Sequence, residues 1–301
     1  MATPSKAQLL TEVHNLLKKR YMPKGEKEKD HVRLTVLESV VYAIALEGSR
    51  RTAAMEALGR FKSNFFDWNE VRVSTIEEVR ATLGTVTDAE PRAQKVRRFL
   101  RQLFEKTYGF TLEALAKKPL KESLKVLTEY EAVETDFVLA TVIQQSLGGH
   151  AIPIDADCRR PLERLGVIDA DTEITAVRSW LERAVPKNRG FEFRDLLEDL
   201  AHDTCLAGQP ICPNCELRKL CPTGLAKKEE TSHPSKADKG KAVKTPKTAE
   251  PKHAAPIPAE PVASSAPEPA PAPSRSPDPA PPKKAPSKST KPGKAKPGSR
   301  S

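Results

Sequence analysis

Four of the five cysteines in this 301-residue chain lie in one short stretch, Cys205-Leu-Ala-Gly-Gln-Pro-Ile-Cys212-Pro-Asn-Cys215-Glu-Leu-Arg-Lys-Leu-Cys221. The first of them ends a predicted helix and the other three lie on a tight loop, so their thiolates can converge on a single inorganic centre. Prolines at positions 210, 213 and 222 prevent a regular helix through the loop and keep it compact. The stretch therefore predicts a metal centre.

Two kinds of centre suit four cysteine thiolates, a zinc ion and an iron–sulfur cluster. Zinc ribbons usually pair two short cysteine knuckles across a longer gap. Here the spacing is C-x6-C-x2-C-x5-C, which contains only one close pair, Cys212 and Cys215. Zinc remains the alternative. The fifth cysteine, Cys158, is far away in sequence, and we expect it to be a small core residue.

The first ~225 residues show apolar residues at helical spacing and no sustained alternation of the kind typical of strands. We predict helices over 9–17, 32–46, 51–61, 92–106, 112–116, 121–130, 137–147, 158–165, 176–184 and 191–206. Ser74 and Glu77 fit a capping box that opens a further helix ending at Leu83. The sequence predicts an all-α fold, with an N-terminal helix and linker over 1–29, a helical domain over 30–204 and the cysteine loop over 205–222.

Residues 227–301 differ in composition from the rest of the chain. They hold 17 of the 27 prolines and 16 Lys and Arg against 7 Asp and Glu, so they carry +9 of the net charge of +10. Such a segment cannot bury enough apolar surface to offset its ordering entropy, and we predict a disordered tail. It suits either a loose electrostatic grip on nucleic acid or a solvated spacer. The preceding 226 residues are close to neutral.

No stretch approaches the roughly 18 uninterrupted apolar residues that a membrane span requires. The chain begins Met1-Ala-Thr-Pro-Ser and runs into an amphipathic helix, without an apolar signal core. We therefore expect a cytoplasmic protein with no membrane partner. In that reducing setting cysteines act more often as metal ligands or reactive thiols than as disulfides.

Three stretches resemble the endonuclease III family of helix–hairpin–helix DNA glycosylases. The cysteine spacing, at the end of a helical domain, is similar to that family's [4Fe–4S] loop. Residues 191–215 resemble its last helix, and "SLGGHAIPIDADCRRPLERLGVI" (146–168) resembles its catalytic-aspartate segment. The resemblance covers residues 30–222. It implies a two-lobed helical fold, a [4Fe–4S] cluster on Cys205, Cys212, Cys215 and Cys221, and excision of a flipped-out base from double-stranded DNA.

Asp155 stands where that family places its catalytic aspartate. Cleavage of the N-glycosidic bond puts positive charge on the sugar, and a carboxylate there stabilises the charge or activates water. An aspartate just before a helix is also a common N-cap. Asp157 fits the cap at least as well, which would leave Asp155 free. The resemblance further suggests DNA contacts from Arg160, Arg218 and Lys219.

The chain departs from the family at the hairpin and at the glutamine borne on a helix. The usual Leu-Pro-Gly-Val-Gly hairpin, whose backbone N–H groups grip a phosphate, is replaced by the glycine-free stretch "YEAVETDFVLATVIQQ" (130–145). Its acidic residues Glu131, Glu134 and Asp136 would repel a phosphate. Glu47 occupies the position of the family's glutamine, where an acidic residue would contact a duplex poorly.

The family's Schiff-base lysine is also missing. Phe137 stands at its position, and no lysine occurs between Lys125 and Lys187. We therefore expect no lyase activity by the usual covalent route. One hypothesis is a monofunctional glycosylase, since some relatives excise bases by water attack. The other is a catalytically inactive iron–sulfur module that binds DNA or a partner. In either case we expect a monomer.

Overall fold

The computed structural model describes residues 5–22 and 32–226. Its α-helices are α1 (Lys6–Tyr21), α2 (Val36–Leu46), α3 (Arg51–Asn64), α4 (Trp68–Val73), α5 (Ile76–Leu83), α6 (Ala89–Thr107), α7 (Glu113–Ala116), α8 (Leu120–Leu127), α9 (Asp136–Gln145), α10 (Ala156–Arg164), α11 (Ile174–Ala184) and α12 (Gly190–Asp203), with a further helical turn over 222–226. These ranges contain no β-strand, so the all-α prediction is confirmed for them. None of their helices is both long and apolar enough to cross a membrane. The tail predicted over 227–301 and the linker after α1 lie outside the described residues, apart from Met22.

The largest of the three apolar clusters among the described residues belongs to the central lobe, which comprises α2 to α9. Every residue of α2 except Glu38 is buried, as expected of a helix that is apolar on all sides. Thr35 begins this helix with a capping box in which its hydroxyl accepts from the Glu38 N–H and the Glu38 carboxylate accepts from the Thr35 N–H. Because α3, α6 and α9 all pack against it, α2 is the axis of the lobe.

The second core belongs to the terminal lobe, which comprises α1, α10 to α12 and the cysteine loop (205–221). Leu10, Val13 and Leu17 of α1 pack there with Phe193 of α12, so the N-terminal helix contributes to the lobe. Cys158 of α10 is fully buried in the same core. This confirms the prediction that the fifth cysteine is a small core residue.

A buried carboxylate ties α1 to α12. The Glu192 carboxylate lies 2.6 Å from His14 Nε2 and accepts a hydrogen bond of 2.6 Å from Lys18 Nζ. Burial alone would raise the pKa of Glu192, but its hydrogen bonds with Lys18 and His14 outweigh that effect and lower the pKa. Helices α1 and α12 are therefore joined by a charged contact inside the terminal lobe.

Charged groups also join the two lobes. The backbone N–H of Arg51, at the start of α3, donates to Glu198 Oε1 at 2.7 Å, and its guanidinium donates to Asp199 Oδ2 at 2.8 Å. Glu198 in turn forms a buried ion pair with Arg194. Burial raises the pKa of Glu198, although Arg194 and Arg51 oppose the shift. Helix α12 thus holds the N-terminal end of α3 against the terminal lobe.

The predicted capping box at Ser74 and Glu77 is wrong by one residue. Thr75 caps α5 and forms the box with Glu78, while Ser74 is the C-cap of α4. The reason is the short helix α4, which the sequence analysis did not predict. Its last turn uses the Ser74 N–H, which donates to the Glu70 carbonyl, so the next helix begins one residue later.

Replacing Glu192 with alanine is expected to lower the free energy of unfolding by about 2 kcal/mol, because His14 would be left buried without its partner. Glu12→Ala on the exposed face of α1 is the matched control. Because folding lowers the pKa of Glu192, its ionic contribution is complete above the unfolded value of 4.5 and is lost as the pH falls through the folded pKa. Denaturant titrations between pH 3 and 7 measure both effects. Equal destabilisation by the two alanine variants would contradict this account.

Candidate active site and cysteine cavity

The four cysteines of the loop line one cavity. Helix α12 ends at Asp203, and the Ile211 N–H then donates to the Thr204 carbonyl at 2.8 Å, which closes the segment after Cys205. A single 3-10 turn, Cys212–Asn214, and its C-cap Cys215 place the next two cysteines at the same cavity. The predicted convergence of Cys205, Cys212, Cys215 and Cys221 is therefore observed as a shared cavity.

Hydrogen-bond donors point at the sulfur atoms. Arg164 Nη1 donates to Cys205 Sγ at 3.3 Å, and Arg218 also lines the cavity. Burial raises the pKa of the Cys215 and Cys221 thiols, while neighbouring backbone N–H groups oppose the shift. Such N–H groups stabilise thiolates once these are formed. In the described ranges no three His, Cys, Asp or Glu side chains meet the geometry of a site for one metal ion.

Asp155 is the N-cap of α10. Its Oδ1 accepts from the Cys158 N–H at 2.9 Å, and its Oδ2 accepts from the Gly48 N–H at 3.1 Å. The expectation that Asp157 could take the cap and leave Asp155 free is therefore wrong. Asp157 instead pairs with Arg160 at 2.6 Å. The Asp155 carboxylate is fixed from two sides, once by each lobe.

A cavity of about 390 Å³ opens beside Asp155, between the two lobes. Sites for small organic groups typically measure roughly 300–1,000 Å³. The central lobe contributes Glu47, Arg92 and Asp136 to its wall, together with Phe137, and the terminal lobe contributes Asp155. Three carboxylates and one guanidinium thus surround a space large enough for a nucleobase.

Arg92, which the sequence analysis did not identify, holds one wall of this cavity. Its guanidinium donates to the backbone carbonyls of Ile44 and Glu47, at the end of α2, and to that of Thr87. Burial lowers the pKa of Arg92, against the influence of nearby carboxylates. These bonds fix the turn in which Gly48 adopts a φ of 66° and presents its N–H to Asp155. No local pattern in the sequence could have revealed contacts across more than forty residues.

Two of the three acidic side chains in the stretch between α8 and the start of α9 form ion pairs with arginines. Glu131 pairs with Arg98 at 2.9 Å, and Asp136 pairs with Arg178 of α11 at 3.0 Å. Glu134 has no ion pair among the described residues. Glu134 is therefore the carboxylate of this stretch that would chiefly repel a phosphate. Burial raises the pKa of Asp136, although Arg178 opposes the shift.

Phe137 is buried at the cavity wall, where the resemblance places the family's lysine. Among the described residues, no lysine lines this cavity. The cationic side chain that does line it is Arg92, whose donors are engaged by backbone carbonyls.

The three residues suggested for DNA contacts differ in their surroundings. Arg160 donates to the carbonyls of Cys205 and Ala201 and to Asp157, so its guanidinium ties α10 to the start of the cysteine loop. Arg218 is half-buried at the cysteine cavity, and Lys219 is exposed. Of the three, Lys219 is therefore the one that is exposed to solvent.

Comparison with known proteins gives a consistent picture. An endonuclease III homolog of Encephalitozoon cuniculi is 25% identical over 113 residues, which are 38% of this chain and 47% of the relative, so the match spans about half the relative's length. A structure of endonuclease III trapped as a covalent intermediate with DNA aligns with a TM-score of 0.58 at 17% identity, over 76% of this chain and all of that one. A thermostable thymine-DNA glycosylase aligns with a TM-score of 0.55 at 15% identity, over 74% of this chain and all of that one. No family model matches the chain. The predicted resemblance is confirmed at the level of the fold.

We expect Asp155→Ala to lower the free energy of unfolding by about 1–2 kcal/mol, because the α10 N-terminus and the Gly48 N–H both lose their acceptor. Asp155→Asn is the matched variant, since asparagine also caps helices well and should cost less than half as much. Denaturant titration at neutral pH measures both. If the alanine and asparagine variants were equally stable, the capping role would be refuted.

Proposed function

We propose that this chain, which has the helix–hairpin–helix DNA glycosylase fold of endonuclease III, removes a damaged or mismatched base from DNA and leaves the strand intact. The observation that carries the proposal is Asp155, whose carboxylate is held at the wall of a base-sized cavity by hydrogen bonds from both lobes. A charge fixed before the reaction begins is suited to stabilising charge that develops in the transition state. Asp155 can therefore cap α10 and also act in the proposed reaction.

The reaction assigned to Asp155 needs no covalent bond to the protein. As the N-glycosidic bond breaks, its electron pair leaves with the base, and positive charge develops on the sugar at C1′. The Asp155 carboxylate stabilises this charge, and a water molecule adds to C1′ and gives up a proton. Lyase chemistry would require an amine at the sugar, and Phe137 stands where the resemblance places it. The product is an abasic site in an unbroken strand.

The cofactor proposed for the cysteine cavity is a [4Fe–4S] cluster held by Cys205, Cys212, Cys215 and Cys221. Support comes from the four soft ligands on one cavity and from the charged donor Arg164 at the Cys205 sulfur. If it is bound there, the four cysteines would hold it, and it would link the loop to the end of α12. A zinc ion bound by the same four cysteines is the alternative.

The partner proposed is double-stranded DNA, bound by the protein as a monomer in the cytoplasm. Lys219 and Arg218 are the candidates for phosphate contacts beside the cysteine loop. Arg160, whose donors are taken by the protein, would position that loop on DNA rather than hold a phosphate itself.

Base excision is tested with protein in excess over duplexes that carry uracil, oxidised pyrimidines, alkylated purines or an oxidised-guanine:adenine mismatch. We expect strand breaks only after alkali, and a loss of at least about 100-fold in single-turnover rate for Asp155→Asn, because the neutral amide cannot stabilise the sugar cation. Cleavage without alkali, trapped by borohydride, would contradict the missing lyase step. No base loss from any duplex would favour the inactive DNA-binding module.

The cluster is tested by iron, sulfide and zinc analysis of the purified full chain. We expect about four iron and four sulfide per chain. Cys212→Ser should lose most of the iron, while Cys158→Ala, which changes the cysteine outside the cavity, should retain it. Stoichiometric zinc without sulfide would show that the alternative is correct.

A further inference from the structure

The cavity beside Asp155 is acidic. Glu47, Asp136 and Asp155 line it, and Arg92 is the cationic side chain on its wall within the described residues. Arg92 cannot turn its donors toward a ligand without giving up the carbonyls of Ile44 and Glu47. The wall therefore carries three carboxylates against one guanidinium that is already engaged.

The counter-charges of two of these carboxylates lie outside the cavity wall. Lys95 approaches Glu47 no closer than 4.0 Å, and Arg178 reaches Asp136 from α11. Burial raises the pKa of Asp136 despite that ion pair, because a buried carboxylate loses part of its contact with water. A nearby cation stabilises a buried carboxylate more strongly than an exposed one, so a cation on the cavity side of these groups would be attracted to them.

We propose that the base accepted by this cavity carries a formal positive charge, as a purine alkylated on a ring nitrogen does. The inference rests on the proposed glycosylase function and names its substrate class. A cationic base in this cavity would meet the carboxylates of Glu47 and Asp136 on its wall, and both attract a positive charge. Neutral bases gain no such attraction.

Excision of such a base does not require the residues that the chain lacks at this cavity. When the N-glycosidic bond of a cationic purine breaks, the electron pair of the bond neutralises the positive charge on the base. The base therefore leaves as a neutral molecule and takes up no proton. Water adds to C1′, and its proton passes to Asp155 or to solvent. Neither a lysine nor a separate general acid is needed, and Asp155 alone meets the charge on the sugar.

The test compares single-turnover excision from duplexes carrying 7-methylguanine, which is cationic, with those carrying uracil or hypoxanthine, which are neutral. Each rate is divided by the spontaneous rate of loss of the same base, because the cationic base is intrinsically labile. We expect a cationic-to-neutral ratio of at least about tenfold for the unaltered chain. Glu47→Gln, which introduces the glutamine usual at this position in the resembling family, should lower that ratio about fivefold or more.

Glu122→Gln, which neutralises an exposed carboxylate of α8 outside the cavity, is the matched control and should leave the ratio unchanged. Asp136→Asn is a second variant that should lower it, with circular dichroism confirming that both cavity variants are folded. Excision of the neutral bases as fast as the cationic one, or an unchanged ratio in Glu47→Gln, would overturn the inference and leave the glycosylase proposal standing. Loss of neither class of base would overturn the proposed function itself.

Discussion

The two hydrogen bonds to the Asp155 carboxylate are the contacts on which the site depends. One comes from the start of α10 in the terminal lobe and the other from Gly48 at the end of α2 in the central lobe. The Asp155 carboxylate therefore joins the start of α10 to the turn after α2, and these two helices belong to different cores. In the proposed reaction a charge must lie at a fixed place beside the sugar, so the packing of the two lobes would set the position of that charge.

Arginines supply most of the rigidity around this contact. Arg92 fixes the carbonyls at the end of α2, Arg51 fixes α3 against α12, and Arg160 fixes α10 against the start of the cysteine loop. The planar guanidinium suits this work because it donates in several fixed directions at once. These three guanidinium groups are bonded to acceptors of the protein itself. In the proposed complex with DNA, exposed groups such as Lys219 would supply the phosphate contacts.

The sequence predicted the helices well where apolar residues recur at helical spacing, as in α2 and α6. It also predicted the shared cavity of the four cysteines, because their spacing and the prolines between them constrain the loop. It missed α4, which is too short for a periodic pattern, and so misplaced the cap of α5. The role of Arg92 and the ion pairs of the hairpin could not be predicted, because they join residues far apart in the chain. Asp155 was the intermediate case: its position before a helix suggested a cap, and only the structure gave its second partner, Gly48.

The central claim is that water, directed by the Asp155 carboxylate, replaces the base at C1′ without a covalent bond to the protein. The most direct measurement is excision in buffer containing methanol, followed by mass analysis of the sugar. Methanol competes with water at C1′ and leaves a methyl glycoside that resists alkali, whereas an amine attached to the sugar excludes it. The account predicts this methyl glycoside from the unaltered chain and its loss in Asp155→Asn. A protein–DNA adduct trapped by borohydride, with no methyl glycoside, would contradict it.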